Sequence, residues 1–444
     1  MIREKILLFT SIFMFAVISF LTASAQFEYK FDFGTGKVVT GYTQVTAITK
    51  YNEQRGYGFD YNTKAIARNR SSEDALHSDF CTSIGSMFFS VKVPQGNYEV
   101  TVTLGDAWRP SVTTIKAESR RLMVKEISTK AGQFKTVSFM VSVWDSIIND
   151  RQIVHLKPRE RDKLDWDNKL TLEFSNVRPC VDAITIKKVD NATTVFLMGN
   201  STVTDQSLEP WSCWGQMIPS FFKPGKIVFS DQAASGSTLR ASIDRNRLAK
   251  VSSMLKPGDY LFVEFAHNDQ KPGSGEKAYT TYNKYLRVYI DSARAHHAIP
   301  VFVTSTNRHD FDASGKVINT LGEFPDAMRY EAKKDGVALI DLNAMTKTLY
   351  DALGPEKSKE LFVQFASGTF PGQEKTLADN THFCDFGAYE LAQCVVEGIK
   401  KRIPSLAKYL KNDLAPFNPA HPDNIKKWAL PLTPMFTSIK PYGD

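Results

Sequence analysis

Four short stretches hold the residues best suited to chemistry. "GNST" places Ser201 two residues after Gly199; "DQAASGSTLR" carries Gly236; "AHND" carries Asn268; "ADNTH" sets Asp379 and His382 three apart. A serine hydroxyl becomes a nucleophile when a base takes its proton, and an imidazole is that base when a carboxylate fixes its tautomer. An acyl carbon under attack develops an oxyanion, which needs N–H donors already in place; a loop glycine and an asparagine amide can supply them. Spacing alone does not decide. Gly-x-Ser also begins an ordinary helix cap, Gly236 fits a plain loop, and His267-Asn268-Asp269 fits a turn. Asp74 and His77 repeat the D-x-x-H spacing far from any other candidate. Asp379 and His382 are expected to face the same way from one helical turn or a tight loop. Arg308 and His309, in "TSTNRHDF", are candidate contacts to a substrate carboxylate or hydroxyl, and suit a solvated loop equally well.

What separates these residues from chance is the pattern that positions them. Between 191 and 405, short apolar runs alternate with helical stretches. The runs are "TVFLM" (194–198), "KIVFS" (226–230), "YLFVEF" (260–265), "PVFVT" (300–304) and "VALID" (337–341). Helical stretches are expected at 279–297, 326–336 and 385–403. Continuous apolar strands between helices predict an α/β unit with a five-stranded parallel sheet covered on both faces. In such sheets the site lies at the carboxyl ends of the strands, where Ser201, Gly236, Asn268 and Arg308 each follow a strand. Residues 26–190 read differently. "YEVTVTL" and "KLTLEFSNV" alternate at period two between turn signals, which predicts an all-β sandwich. Its first and last runs, "FEYKFDFG" and "AITIKKV", are expected to pair. Residues 406–444 are rich in proline and read as an extended surface segment.

The chain has 444 residues, which suits two domains. "MIREK", an apolar run and Ala23-Ser24-Ala25 form the pattern of a secretory leader cleaved after Ala25. Secretion or a periplasmic location follows, with an uncleaved membrane anchor as the alternative. The formal charge of +7 is spread without basic-aromatic clusters, which argues against nucleic-acid binding and suits an anionic polymer. The five cysteines, Cys81, Cys180, Cys213, Cys384 and Cys394, show no metal-site spacing. Cys384 and Cys394 are close enough to consider as a pair. No G-x-S-x-G, P-loop or G-x-G-x-x-G occurs, so the nucleophile elbow is not the template. No cofactor and no metal are expected.

Taken in order, "GNST", the Gly236 loop, "AHND" and "DNTH" resemble the four blocks of the SGNH (GDSL-like) hydrolases. "GNSTVTDQ…EPWSCWGQMIP", "KPGDYLFVEFAHNDQK" and "ADNTHF" are most similar to the rhamnogalacturonan acetylesterase branch, and "FDFG…RGYGF" resembles the galactose-binding-like sandwich. The resemblance implies a flavodoxin-like three-layer sandwich over 191–405. It implies Ser201 as nucleophile, His382 as base and Asp379 as its orienter. The oxyanion hole would be the N–H groups of Ser201 and Gly236 and the Asn268 amide. Two positions depart from the family pattern: Asn200 stands where Asp is usual, and Ala266, whose methyl could crowd the floor of the site, where Gly is usual. The expected function is a secreted esterase that removes O-acetyl groups from an acidic plant polysaccharide, pectic rhamnogalacturonan first. Other acyl specificities (a lipid ester, a thioester, a sialic acid O-acetyl) and an inactive glycan-binding protein are the alternatives. For the β unit, sugar binding through Trp108 or Trp166 competes with a scaffold role beside the catalytic mouth, the latter preferred.

Overall fold

The computed structural model describes residues 27–442. The leader expected at 1–25 lies outside them. Among the described residues, no helix is long and apolar enough to cross a membrane.

The first half folds as two facing β-sheets. One has the order Phe134–Val143, Gly96–Gly105, Val181–Lys188, Glu28–Phe33, Thr43–Val45, with two further strands joined through Asp79–Ser83. The other has the order Tyr57–Asp60, Met87–Lys92, Lys169–Ser175, Ser111–Ala117, Arg121–Thr129. Their inner faces share one core, in which Phe31, Val102 and Ile184 meet Phe89, Leu172 and Phe174. Period-two alternation sends these side chains inward and polar neighbours outward. The first and last runs pair antiparallel, Glu28 opposite Lys187, as their sequences suggest.

From Thr193 onward the chain forms a five-stranded parallel sheet. In chain order its strands are Thr193–Gly199, Ile227–Asp231, Tyr260–Glu264, Ile299–Val303 and Ala338–Ile340, arranged 2-1-3-4-5. Successive residues of one strand serve opposite cores. Val195 and Leu197 face the helix Asp385–Arg402, while Phe196 and Met198 face the helix Asn283–Ala295. Burial on both sides is why these strands are apolar throughout. The order turns back between the first and third strands, and that switch point is where Ser201 emerges.

The two units meet through buried ion pairs. A turn at Glu118–Arg120 leaves the sandwich with φ of 53° at Glu118 and 64° at Arg120, a left-handed conformation uncommon outside glycine. It delivers Arg120 to Glu209 and, at 2.8 Å, to Asp385 of the last long helix. Next in sequence, Arg121 lies 2.8 Å from Asp205, and Leu122 packs into the core of the second unit. Residues 408–442 then cross the surface largely without regular structure. They join the same junction where Glu209 N–H donates to Met435 O and Thr437 N–H to Glu209 O. Trp166 is drawn into this interface, edge-on to Trp144 with Arg247 over its ring. Trp108 stays exposed with the Arg70 guanidinium over one face. All five cysteines are buried and free, so the pair considered between Cys384 and Cys394 does not form. Both sit on one helix and its cap, packed into the core as small apolar side chains.

Arg120 is the only cation within salt-bridge distance of buried Asp385 among the described residues. Arg120→Ala is expected to destabilise the protein by about 3–5 kcal/mol, because buried Asp385 loses its counter-charge and Glu209 keeps only Lys116, 3.8 Å away. Urea denaturation measures this; a loss below about 1 kcal/mol would mean that the carboxyls simply take up protons.

Candidate active site

Gly199 ends the first strand because nothing larger fits. A Cβ there would stand 2.5 Å from Val203 Cγ2 and 3.0 Å from Glu264 O. The chain therefore turns sharply, and Asn200 secures the turn. Its Oδ1 accepts from Thr202 N–H (3.1 Å) and Thr202 Oγ1 (2.9 Å), and its backbone oxygen accepts from Val203 and Thr204. These are acceptor duties that an aspartate would also perform; the Asn200 Nδ2 is left without a partner. Ser201 sits on this turn, 3% exposed.

His382 Nε2 lies 2.8 Å from Ser201 Oγ, and His382 Nδ1 lies 2.8 Å from Asp379 Oδ2. The D-x-x-H segment is neither a helical turn nor a loop. It belongs to the strand Leu377–Phe383, paired antiparallel with Phe362–Phe365. Asp379 Oδ1 accepts from the Thr381 and His382 N–H groups at 2.7 and 2.9 Å, which brings its other oxygen beside the ring. Burial acts to raise the Asp379 carboxyl, but the His382 ring and these two N–H groups outweigh it and hold it below its ordinary value. It is therefore a carboxylate at neutral pH, fixing the imidazole with Nε2 toward the serine. Trp211 stands edge-on to the ring, 5.8 Å between centroids. Asp74 and His77 also touch, at 2.6 Å, but on the surface against Phe134.

The donor side converges on the same point. Gly236 has φ +72°, in the left-handed region that glycine enters at no cost. Its loop is zipped to the first strand by Gln232 N–H to Leu197 O and Ala234 N–H to Gly199 O. Asn268 Nδ2 donates to Ser237 O at 3.2 Å, and Asp269 Oδ1 accepts from Leu239 N–H at 2.9 Å, so the "AHND" loop grips the Gly236 loop from the other side. Among the described residues, no acceptor pairs with the backbone N–H of Ser201 or Gly236. A hydroxyl, an oriented imidazole and unused donors around one point can support acyl transfer. Ala266 does not crowd this floor: its methyl is buried in the apolar cluster with Phe265 and Tyr282.

The two remaining candidates sit differently. The His309 ring is packed against Phe311 and Phe362, with Nε2 2.8 Å from Pro355 O, so it supports the fold rather than facing a substrate. Arg308 directs its nitrogens at Thr381 Oγ1, Thr320 Oγ1 and His267 O, bracing the strand that carries His382. One group has metal-ligand proximity: Asp205, Cys213 and Asp231, within 4.8 Å of one another and buried. Arg121 supplies the positive charge there, and the Cys213 sulfur is engaged with the backbone, donating to Val203 O and accepting from Gln216 N–H as a helix cap.

Three contributors escape a reading by motif. Gln206 Nε2 donates to Ser201 O and Ser235 Oγ. Lys157, from the sandwich unit, reaches Ser235 O. Glu264, inside the apolar strand, accepts from Trp214 Nε1 at 2.7 Å and lies 2.8 Å from Thr202 Oγ1. A lone carboxylate in "YLFVEF" is a legible signal; Lys157 has none, because nothing local ties it to Ser235. A cavity of about 340 Å³ opens between the units beside these residues, lined among others by Lys157, Arg159, Lys163, Trp211, Ser235 and Tyr442.

Burial lifts Glu264 from 4.5 to about 7, against the lowering pull of Thr202 and Trp214. The folded state thus keeps a proton that the unfolded chain releases. This contribution to stability is complete below about pH 4.5 and declines until about pH 7. Glu264→Gln is expected to remove that decline, so its stability relative to the parent rises across this window. Urea denaturation at several pH values tests it; a constant difference would mean that Glu264 ionises as freely in the fold as outside it.

Comparison with known proteins agrees with this architecture. Residues 29–149 match the family described as "Beta-agarase/YXIM esterase-like, galactose-binding domain-like". The rhamnogalacturonan acetylesterase RhgT of Bacillus subtilis is 44% identical over 209 residues, covering 47% of this chain and 89% of the relative. The probable rhamnogalacturonan acetylesterase YesY of the same organism is 32% identical over 47% of this chain and 92% of its own. The uncharacterized esterase YxiM, again of B. subtilis, is 25% identical over 87% of this chain and 94% of its own. The chain belongs to the rhamnogalacturonan acetylesterase-like branch of the SGNH hydrolases, and is a carboxylic-ester hydrolase that carries a galactose-binding-like domain ahead of its catalytic unit.

Proposed function

We propose that the protein is an exported esterase that removes O-acetyl groups from pectic rhamnogalacturonan through an acetyl-enzyme on Ser201. The observation that carries this reading is the continuous hydrogen-bonded line from Asp379 through His382 to Ser201 Oγ. Ser201 Oγ attacks the acetyl carbon as His382 Nε2 takes its proton. The carbonyl oxygen, now an anion, is received by the N–H groups of Ser201 and Gly236 and by the second hydrogen of the Asn268 amide. Collapse breaks the bond to the sugar oxygen, and His382 returns the proton to that leaving group. Water then attacks the acetyl-enzyme and gives up a proton to His382; collapse breaks the bond to Ser201 Oγ, His382 returns the proton to that oxygen, and acetic acid leaves, ionising to acetate. Asp379 stays ionised throughout and steadies the imidazolium.

The substrate class draws on the names of the relatives RhgT and YesY. Lys157, Arg159 and Lys163 at the adjoining cavity suit a polymer bearing carboxylates. The leader-like residues 1–25 support export.

Ser201→Ala is expected to abolish hydrolysis of a chromogenic acetate ester; activity retained in pure protein would remove Ser201 from the mechanism. Asn268→Ala should lower kcat on the order of 10²–10³-fold, the usual cost of one oxyanion donor. Acetate released from acetylated rhamnogalacturonan, set against acetylated xylan and a sialic acid O-acetyl ester, tests the substrate; equal rates on all three would reject it.

A further inference from the structure

A lysine of the sandwich reaches the oxyanion loop from outside the catalytic unit. Lys157 Nζ donates to Ser235 O and lies 3.5 Å from Ser237 Oγ. Ser235 C=O and Gly236 N–H are the two ends of one peptide group. In a trans peptide they point in opposite directions, and resonance couples them. A cation on the oxygen therefore does two things to the N–H on the far side. It fixes the direction in which the N–H points, and it draws electron density toward the oxygen, making the N–H a stronger donor.

The lysine is itself held. Its backbone N–H donates to Glu160 Oε2 at 2.8 Å, closing the short turn Pro158–Glu160. Glu160 Oε1 pairs with Arg247, whose Nη1 reaches Gln232 O at 3.2 Å and Ala233 O at 3.3 Å, at the start of the same loop. One carboxylate of the sandwich thus anchors both cations that grip the loop. Glu160 and Arg247 are both buried, while Lys157 is half-buried at the edge of the cavity between the units. From the tail, the Tyr442 ring faces Lys157 Nζ at 5.9 Å.

We propose that Lys157 is a positioning residue for the oxyanion hole: carried by the β-sandwich unit, its ammonium orients and polarises the Ser235–Gly236 peptide so that the Gly236 N–H can receive the oxyanion. The proposal rests on the reading of Gly236 as an oxyanion donor. It gives the sandwich a part in catalysis beyond that of a scaffold. Because the ammonium must stay charged, the device has a pH limit. Burial lowers Lys157 to about 8; Arg247, Arg245 and Lys163 act in the same direction, and Glu160 opposes them. Above that pH the charge is lost, and the support for the peptide with it.

The test uses the full-length protein and a chromogenic acetate ester, with kcat and KM followed from pH 6 to 10 in the parent, Lys157→Met, Lys157→Arg and Ser201→Ala. Weakening a donor costs less than removing one, so Lys157→Met should lower kcat on the order of 10–100-fold with KM changed less than about 2-fold. The parent should lose kcat as the pH passes about 8. Lys157→Arg, which keeps its charge, should recover most of kcat and move that fall to higher pH. An unchanged kcat in Lys157→Met overturns the proposal. So does a loss that Lys157→Arg neither restores nor shifts in pH, since a purely structural contact gives that result. If Lys157→Met does not fold, the parent profile decides alone: a kcat that is flat through pH 8–9.5 overturns it. An active Ser201→Ala would defeat the acyl-enzyme reading itself. An inactive Ser201→Ala beside a fully active Lys157→Met would defeat only the role of Lys157.

Discussion

One hydrogen bond, 2.8 Å from His382 Nε2 to Ser201 Oγ, joins residues 181 positions apart, and the architecture of the second unit exists to hold it. A bond of that length tolerates only a few tenths of an ångström of drift before it weakens. Neither partner can therefore ride on a loose loop. Ser201 is fixed by a strand end that admits only glycine and by the Asn200 hydrogen bonds beneath it. His382 is fixed by the strand Leu377–Phe383, by Asp379, and by the Trp211 edge, with the indole N–H of Trp211 donating to Thr437 O of the crossing tail. The tail reaches Asp379 as well, where Lys440 Nζ stands 3.4 Å from the carboxylate. Segments remote in sequence thus converge on two atoms.

The same demand explains the unusual junction between the units. Independent domains normally meet through modest, polar, exposed surfaces. Here Arg120, Arg121 and Arg247 are all buried and face Glu209, Asp385, Asp205 and Glu160. Buried ion pairs are a poor source of net stability, because desolvation offsets most of the attraction, but they tolerate only one relative placement. An apolar interface could slide by a fraction of a side chain without much loss; a set of buried arginines cannot. Such a junction fixes the sandwich rigidly against the Ser235–Ser237 loop. RhgT and YesY align over less than half of this chain, within their own near-full length.

Much of the second unit was legible in the sequence, because its signals are local. The continuous apolar runs mark strands buried on both faces, and a glycine before Ser201 marks a turn at a strand end. The residues that follow the first three strands do meet in space. The D-x-x-H spacing marks the pair but not its setting, since the carboxylate folds back on neighbouring backbone N–H groups from within a strand and not from a helical turn or loop. Arg308 and His309 follow the fourth strand as Asn268 follows the third, yet sequence position could not tell a side chain facing the site from one bracing it. Lys157 and the buried arginines had no local signal at all. Their meaning comes from the contact between two units, and contact across more than 70 residues leaves no period or spacing to read.

Asn200 and Ala266, the two departures from the family pattern, resolve on the same physical grounds. The demand at position 200 is for an acceptor beneath the nucleophile turn, and an amide oxygen meets it as a carboxylate oxygen would. Glu264 gives a reason why a neutral group suits this chain. Thr202 Oγ1 lies between Asn200 Oδ1 and Glu264 Oε1, at 2.9 and 2.8 Å. A second carboxylate at position 200 would sit across one hydroxyl from Glu264, which burial already drives toward its protonated form, and like charges so close raise the cost further. The amide removes that repulsion at the expense of an unpaired NH2 group. The raised carboxyl of Glu264 and the neutral amide of Asn200 are thus two parts of a single electrostatic arrangement under Ser201.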